Sequence, residues 1–218
     1  MGAIARAAAN NITTSGVFTS SAIANSSVTG ITVLANASDG ITLISSQTAS
    51  NSASISFTSG LDSTYKAYKF VFINMNPATD AVYFQFNLST DSGSNYNVTK
   101  TTTSFGAFHD EADTSTSLAY STADDLAQST SDQRITPHAQ VGGGADEGVS
   151  GSLLLFNPSS TTYVKHFMTN SNNYHSGDFS VNGYIAGYAN TTSAVNAIRF
   201  QFSSGNIDDG KIYLYGIK

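Results

Sequence analysis

Alternation with a period of two is the feature that most narrows what this chain can become. Val82, Phe84, Phe86 and Leu88 occupy every second position, with Tyr83, Gln85 and Asn87 between them. Ile198, Phe200 and Phe202 repeat the pattern around Arg199 and Gln201. Successive side chains of a strand point to opposite faces, so each run describes a strand buried on one face only. Tyr65–Met75 differs, because Phe70, Val71, Phe72 and Ile73 are consecutive and both faces of that strand want cover. Further strands are expected at Leu153–Phe156, Tyr163–Thr169, Phe179–Tyr188, Ala197–Phe202 and Lys211–Ile217. Asn76-Pro77-Ala78-Thr79-Asp80 and Asp91-Ser92-Gly93-Ser94-Asn95 have turn chemistry, and Asp208-Asp209-Gly210 reads as the tip of a closing hairpin. The expectation is an all-β fold, an antiparallel β-sandwich of jelly-roll-like type, over residues 51–218.

Composition agrees and adds a constraint on function. Charged residues are 11% of the 218 and apolar residues 40%. Ordinary soluble domains carry roughly 25% charge. Ser, Thr, Asn and Gly stand where Lys and Glu usually do. Such a surface loses little rotamer entropy and needs little charge desolvation when another subunit covers it. The formal charge is −6 and the nine Lys and Arg are scattered, which argues against nucleic acid as a partner. No apolar run approaches the roughly 20 residues of a membrane span. The first residues have neither the basic region nor the apolar core of a secretory signal. There is no cysteine, so no disulfide framework exists.

Residues 1–50 read differently from the rest, as an extended N-terminal arm rich in Ser, Thr, Asn and Ala. Its aliphatic and aromatic side chains are sparse: Ile12, Val17, Phe18, Ile23, Val28, Ile31 and Val33. These are the expected assembly contacts, since so little apolar area does not fold alone. Asp39-Gly40 between Ile31–Leu34 and Ile41–Ile44 is a two-residue hairpin signal. From about 105 to 148 the strand pattern fails, and a long, weakly structured loop insert is expected to carry a contact surface.

Catalytic signatures are missing. No G-x-S-x-G elbow accompanies the many serines. The acids Asp62, Asp80, Asp91, Asp208 and Asp209 sit in turn sequences rather than as a spaced pair. Gly142-Gly143-Gly144 lacks the Lys-Ser/Thr of a phosphate loop and reads as a flexible turn. His109, Asp110, Glu111 and Asp113 form a possible ligand loop for a divalent cation or another ligand, without the spacing of an EF-hand. His138, His166 and His175 have no zinc-type spacing, and His166 is expected to be packed or at an interface. The expectation is no enzyme and no cofactor. Eleven Tyr and no Trp point to subunit contacts or sugar stacking, with Tyr184 and Tyr188 on one strand face and Tyr213 and Tyr215 on another.

Four segments carry a resemblance: Phe72-Ile73-Asn74-Met75-Asn76-Pro77-Ala78-Thr79-Asp80, Ser94-Asn95-Tyr96-Asn97, Leu155-Phe156-Asn157-Pro158-Ser159-Ser160 and Ile212-Tyr213-Leu214-Tyr215-Gly216-Ile217. Over residues 40–218 the chain resembles small virion-surface proteins, of decoration or fibre type, from tailed bacteriophages of marine and cyanobacterial kind. The resemblance implies a homotrimer on the virion that contacts the major capsid protein or a tail component, as a cement protein or short tail fibre. The alternative is a fibre domain that binds host-surface glycan. No catalytic residue carries over from it.

Overall fold

The computed structural model describes residues 40–218, and these residues form strands and turns without a helix. In chain order the strands are β1 (Ile41–Thr48), β2 (Ile55–Phe57), β3 (Ala67–Pro77) and β4 (Phe84–Ser89). Next come β5 (Lys100–Asp110), β6 (Thr116–Tyr120), β7 (Gln133–Arg134) and β8 (Val149–Phe156). The last four are β9 (Lys165–His175), β10 (Phe179–Ala189), β11 (Ala197–Phe202) and β12 (Ile207–Ile217). They make an eight-stranded sheet in the order β1-β12-β3-β8-β9-β10-β5-β6 and a four-stranded sheet in the order β2-β11-β4-β7. Every pairing is antiparallel, and the two sheets pack as a sandwich.

The chain crosses between sheets from β3 to β4 and again from β11 to β12, and β3 pairs β12 while β4 pairs β11. That nested pairing is the part of the architecture held in common with a jelly roll. β8, β9 and β10 instead run as a meander within one sheet.

Alternating residues meet between the sheets. Phe70 and Phe72 of β3 are fully buried, as are Phe84 and Phe86 of β4 and Phe200 of β11. Phe70 meets Phe200 at 5.5 Å, Phe72 meets Phe84 at 5.3 Å, and Phe86 stands edge-on to Phe167 of β9 at 5.2 Å. Each buried ring contributes about 1.5–3 kcal/mol of apolar burial, and well-placed ring pairs about 0.5–1.5 kcal/mol more. The expected two-sided cover of Tyr65–Met75 is not found. Val71 is half-buried and Ile73 is 43% exposed, so the second face of β3 looks outward without cover from the described residues.

Three further expectations are corrected. Asp208-Asp209-Gly210 is no hairpin tip: it lies inside β12 as a bulge, with register shifts on either side of Asp209. Gly210 has φ +129, and a Cβ there would lie 2.8 Å from the Asn74 carbonyl oxygen, so backbone crowding demands glycine. The link between β11 and β12 changes sheet and is not a hairpin loop, because the two strands do not pair. The strand-bearing unit begins at Gly40, and residues 41–48, read with the arm, form an edge strand paired with β12. The Ile31–Leu34 half of the supposed Asp39-Gly40 hairpin lies outside the described residues.

The 105–148 insert is the third. Residues 105–110 continue β5, and Glu111–Ser115 turn into β6. Residues 121–141 then supply β7, the edge strand of the four-stranded sheet, and loops on either side of it that pack against the large sheet. Ile135, Ala139 and Val141 are fully buried. Pro137 lies over Gly183, where an added Cβ would approach Pro137 Cδ to 2.3 Å. Hydrogen bonds stitch the layer down: Thr102 Oγ1 to Gln133 Oε1 at 2.7 Å, the Leu126 N–H to Thr102 Oγ1 at 2.8 Å, and Ser171 Oγ to the Ile135 carbonyl at 2.8 Å. A polar sequence shows no strand period here because its backbone pairs only at the two-residue β7 and at isolated bridges, and side-chain hydrogen bonds hold the rest.

Candidate functional site

The possible ligand loop is a hairpin turn. Asp110 is buried, and its Oδ1 accepts the N–H groups of Thr114 at 2.9 Å and Ser115 at 2.8 Å, while Oδ2 accepts the Thr114 hydroxyl. Those bonds, the Thr114 hydroxyl first, hold its carboxyl below the ordinary Asp range. Asp113 has φ +56 and pairs with His109 Nε2 at 3.0 Å on the exposed side. Glu111 is exposed. The cluster therefore spends its best acceptor on the turn, and no group of three or more His, Asp or Glu is placed to hold a metal among the described residues. The aliphatic positions expected as assembly contacts, Ile12, Val17, Phe18, Ile23, Val28, Ile31 and Val33, lie outside the described residues.

Gly142-Gly143-Gly144 is a fitted loop and not a loose turn. A Cβ on Gly142 would come 2.3 Å from Glu147 Cδ, so the loop closes directly on that carboxylate. The Gly144 N–H donates to Glu147 Oε2 and the Gly143 N–H to Asp80 Oδ1 at 3.1 Å. The loop is an anion-holding nest occupied by the chain's own acids. Beside it a cleft of about 560 Å³ gathers Asp146, Glu147, Asp208 and Asp209. None of the four is buried, whereas a carboxylic acid serving glycoside cleavage needs burial to keep its proton.

Two lysines are the most unusual titratable groups. Lys100 and Lys165 are fully buried and flank Ala189 in one cross-strand row. Lys100 Nζ donates to Asn87 Oδ1 at 2.6 Å and to the Val98 carbonyl at 2.7 Å. Lys165 Nζ donates to the carbonyls of Tyr163 at 2.9 Å and Thr191 at 3.1 Å. Burial pushes Lys100 down to about 8, against a weaker opposing pull from Asp132, and lowers Lys165 as well. A lysine with depressed basicity is a candidate nucleophile. Here both ammonium groups are spent on loop carbonyls or a side-chain amide, and neither lines a cavity found among the described residues. Nothing in the local sequence marked either lysine as buried.

Asp132 receives Gln85 Nε2 at 3.1 Å, Gln201 Nε2 at 3.0 Å and Arg199 Nη2 at 3.4 Å over the outer face of the small sheet. Arg134 stacks on Tyr83 at 3.8 Å and bonds the buried Asp124 at 2.8 Å. The outer face of the eight-stranded sheet has another character. Of the nine exposed large apolar side chains among the described residues, all but Tyr163 point outward from this one face.

The register organises them. One row crosses Asn170 of β9, Tyr184 of β10, Phe105 of β5 and Tyr120 of β6. Phe105 and Tyr184 stack at 5.1 Å, with planes 11° apart. The Tyr120 hydroxyl donates to Asp125 Oδ2 at 2.6 Å, which raises the phenol's pKa. A neighbouring depression of about 410 Å³ is floored by Ala186 and walled by Thr103, His166, Met168 and Tyr188. His166, expected to be packed or at an interface, is exposed there with its ring 6.2 Å from Tyr188. Tyr213 and Tyr215 stack at 6.2 Å on β12, so the tyrosine pairs read as two strand faces share one sheet face. Among the described residues Lys69 and Lys211 are the only Lys or Arg on it, and the acids of the 560 Å³ cleft lie at one end beside Ser150, Asn172 and Tyr174. The arrangement offers a broad surface with clustered exposed apolar side chains, which gains by being covered. No family model, curated protein or solved structure matches this chain.

Proposed function

We propose that the chain is a non-enzymatic structural protein of a tailed-phage virion, a capsid-decorating or short-fibre component whose large sheet lies against other protein. One observation carries the reading: the exposed large apolar side chains of the described residues, Tyr163 apart, gather on a single sheet face. Five strands of eleven residues give that face about 36 Å along the strands, and eight strands give about 38 Å across. The resulting area, about 1,400 Å², exceeds the roughly 800 Å² per partner of a standard interface. The resemblance of residues 40–218 to phage surface proteins supplies the virion context and a homotrimeric state, with the capsid or tail as the neighbour.

The test is add-back. Purified chain is mixed with particles from which it has been genetically removed, and co-sedimentation is measured. Met168→Asp with Tyr184→Asp places charge on the face at exposed positions, where folding is undisturbed. Binding by the natural sequence and its loss in the double variant are expected, and equal binding by both refutes the reading.

A second reading, a glycan-binding adhesin, draws support from the amides of Asn170, Asn172 and Asn182 beside Tyr184 on the same face. The mutual stacking of Phe105 and Tyr184 weighs against it, because rings engaged with each other leave little free face for a sugar. Glycan-array binding that Tyr120→Ala abolishes favours the adhesin.

A further inference from the structure

Four sheet edges are present among the described residues, and three of them are blunted. β2 is three residues long and β7 two, which is too short to template a partner strand. β1 carries a register shift between Leu43 and Ser45, a bulge that bends an edge away from pairing. β6 is the exception. It pairs with β5 without a shift, all five of its residues are exposed, and Thr-Ser-Leu-Ala-Tyr contains no charge and no proline.

Its backbone direction is fixed by its neighbours. The Ser121 N–H donates to the Ser104 carbonyl, and the Asp110 N–H donates to the Ser115 carbonyl. Odd-numbered residues therefore address β5, and the N–H and C=O groups of Thr116, Leu118 and Tyr120 point off the edge, with no backbone partner among the described residues. The same three side chains face the outer surface, and Leu118 is 74% exposed.

We propose that β6 pairs antiparallel with β6 of a second copy, about a two-fold axis through Leu118. Leu118 then exchanges both hydrogen bonds with its symmetry mate, and Thr116 does so with Tyr120 of the other copy. The outward side chains bring leucine against leucine and tyrosine against threonine, and the row Tyr184–Phe105–Tyr120 continues across the axis. A second copy is the favoured occupant on charge grounds: the chain is acidic overall, but the five residues of this strand carry no charge, so the self-pairing sets no charged strand residue against another.

Size sets the strength. Five residues span about 17 Å, and the rim, two layers deep, is about 20 Å high, giving roughly 350 Å² per copy. That is below the roughly 800 Å² of a stable standard interface, so the contact is weak in solution and gains from tethering on an assembly. It is isologous, so it links copies in pairs and does not itself build a three-fold ring. The pairing does not depend on the virion reading.

The absence of cysteine allows a clean test. Hydrogen-bonded antiparallel pairs have Cα atoms about 5.5 Å apart, within disulfide range. Full-length Leu118→Cys at high concentration under mild oxidation is expected to give a covalent dimer at least tenfold faster than Leu43→Cys on the bulged edge. Thr116→Cys and Tyr120→Cys are each expected to cross-link slowly alone and quickly when mixed. Equal rates for Leu118→Cys and Leu43→Cys overturn the pairing. So does Thr116→Cys alone matching the mixture, because the register then differs. Particle add-back is measured separately, so either idea can fail while the other stands.

Discussion

Replacing Lys100 by Met removes a buried ammonium, and the consequence is readable through pH. In the folded chain the group titrates near 8 because burial disfavours its charge. In the unfolded chain a lysine titrates near 10.4. Below pH 8 both states hold the proton and the folded state bears the full desolvation cost. Between about 8 and 10.4 the unfolded state binds more protons, so stability rises with pH across that window. The gap of about 2.4 units corresponds to about 3 kcal/mol. Urea unfolding of both proteins from pH 7 to pH 9.5 isolates the effect, since Lys165 contributes equally to each. The phenols of Tyr68, Tyr120 and Tyr174, all raised, oppose it only as pH nears 10, where the unfolded state releases protons that the folded state retains. The natural sequence is expected to gain about 2 kcal/mol relative to Lys100→Met over this range. Parallel stability curves would refute the argument that Lys100 is folded into a desolvated site.

Asp124→Ala strips the Arg134 guanidinium, the His138 N–H and the Ser121 hydroxyl of one shared acceptor, so a loss of about 3–5 kcal/mol is expected by thermal unfolding. Hydrogen exchange in 121–141 should accelerate first, because those bonds hold the covering layer down. Gly183→Val drives a side chain into Pro137 and is expected to cost at least about 1–3 kcal/mol, with the same segment released. Asp110→Asn keeps the turn's shape but weakens charge-assisted bonds, and thermal stability should fall at pH 7. That difference fades toward pH 2, since a carboxyl held low in the fold contributes stability that disappears as it protonates. Millimolar calcium is expected to leave the melting temperature of the natural sequence unchanged, because Asp110 already spends both oxygens on the turn.

The period-two runs determined the strands by themselves. Val82 to Leu88 and Ile198 to Phe202 could bury one side only as extended chain, and those side chains form the centre of the sandwich. Scarcity of charge likewise marked a surface that other protein can cover cheaply. What local pattern did not contain was the partner of each face. The second face of β3 and the tyrosines of β10 and β12 became one continuous surface only when β12, β3, β8, β9 and β10 lined up in one sheet. The 121–141 part of the 105–148 stretch showed no period because its strand is two residues long and the rest is held by long-range bonds, Thr102 with Gln133 and Ser171 with Ile135, whose partners lie far apart in sequence. Lys100 is the sharpest case. Both its inward direction and its depressed basicity arise from the strands and loops that close over it, a property of tertiary burial that sequence neighbours do not encode.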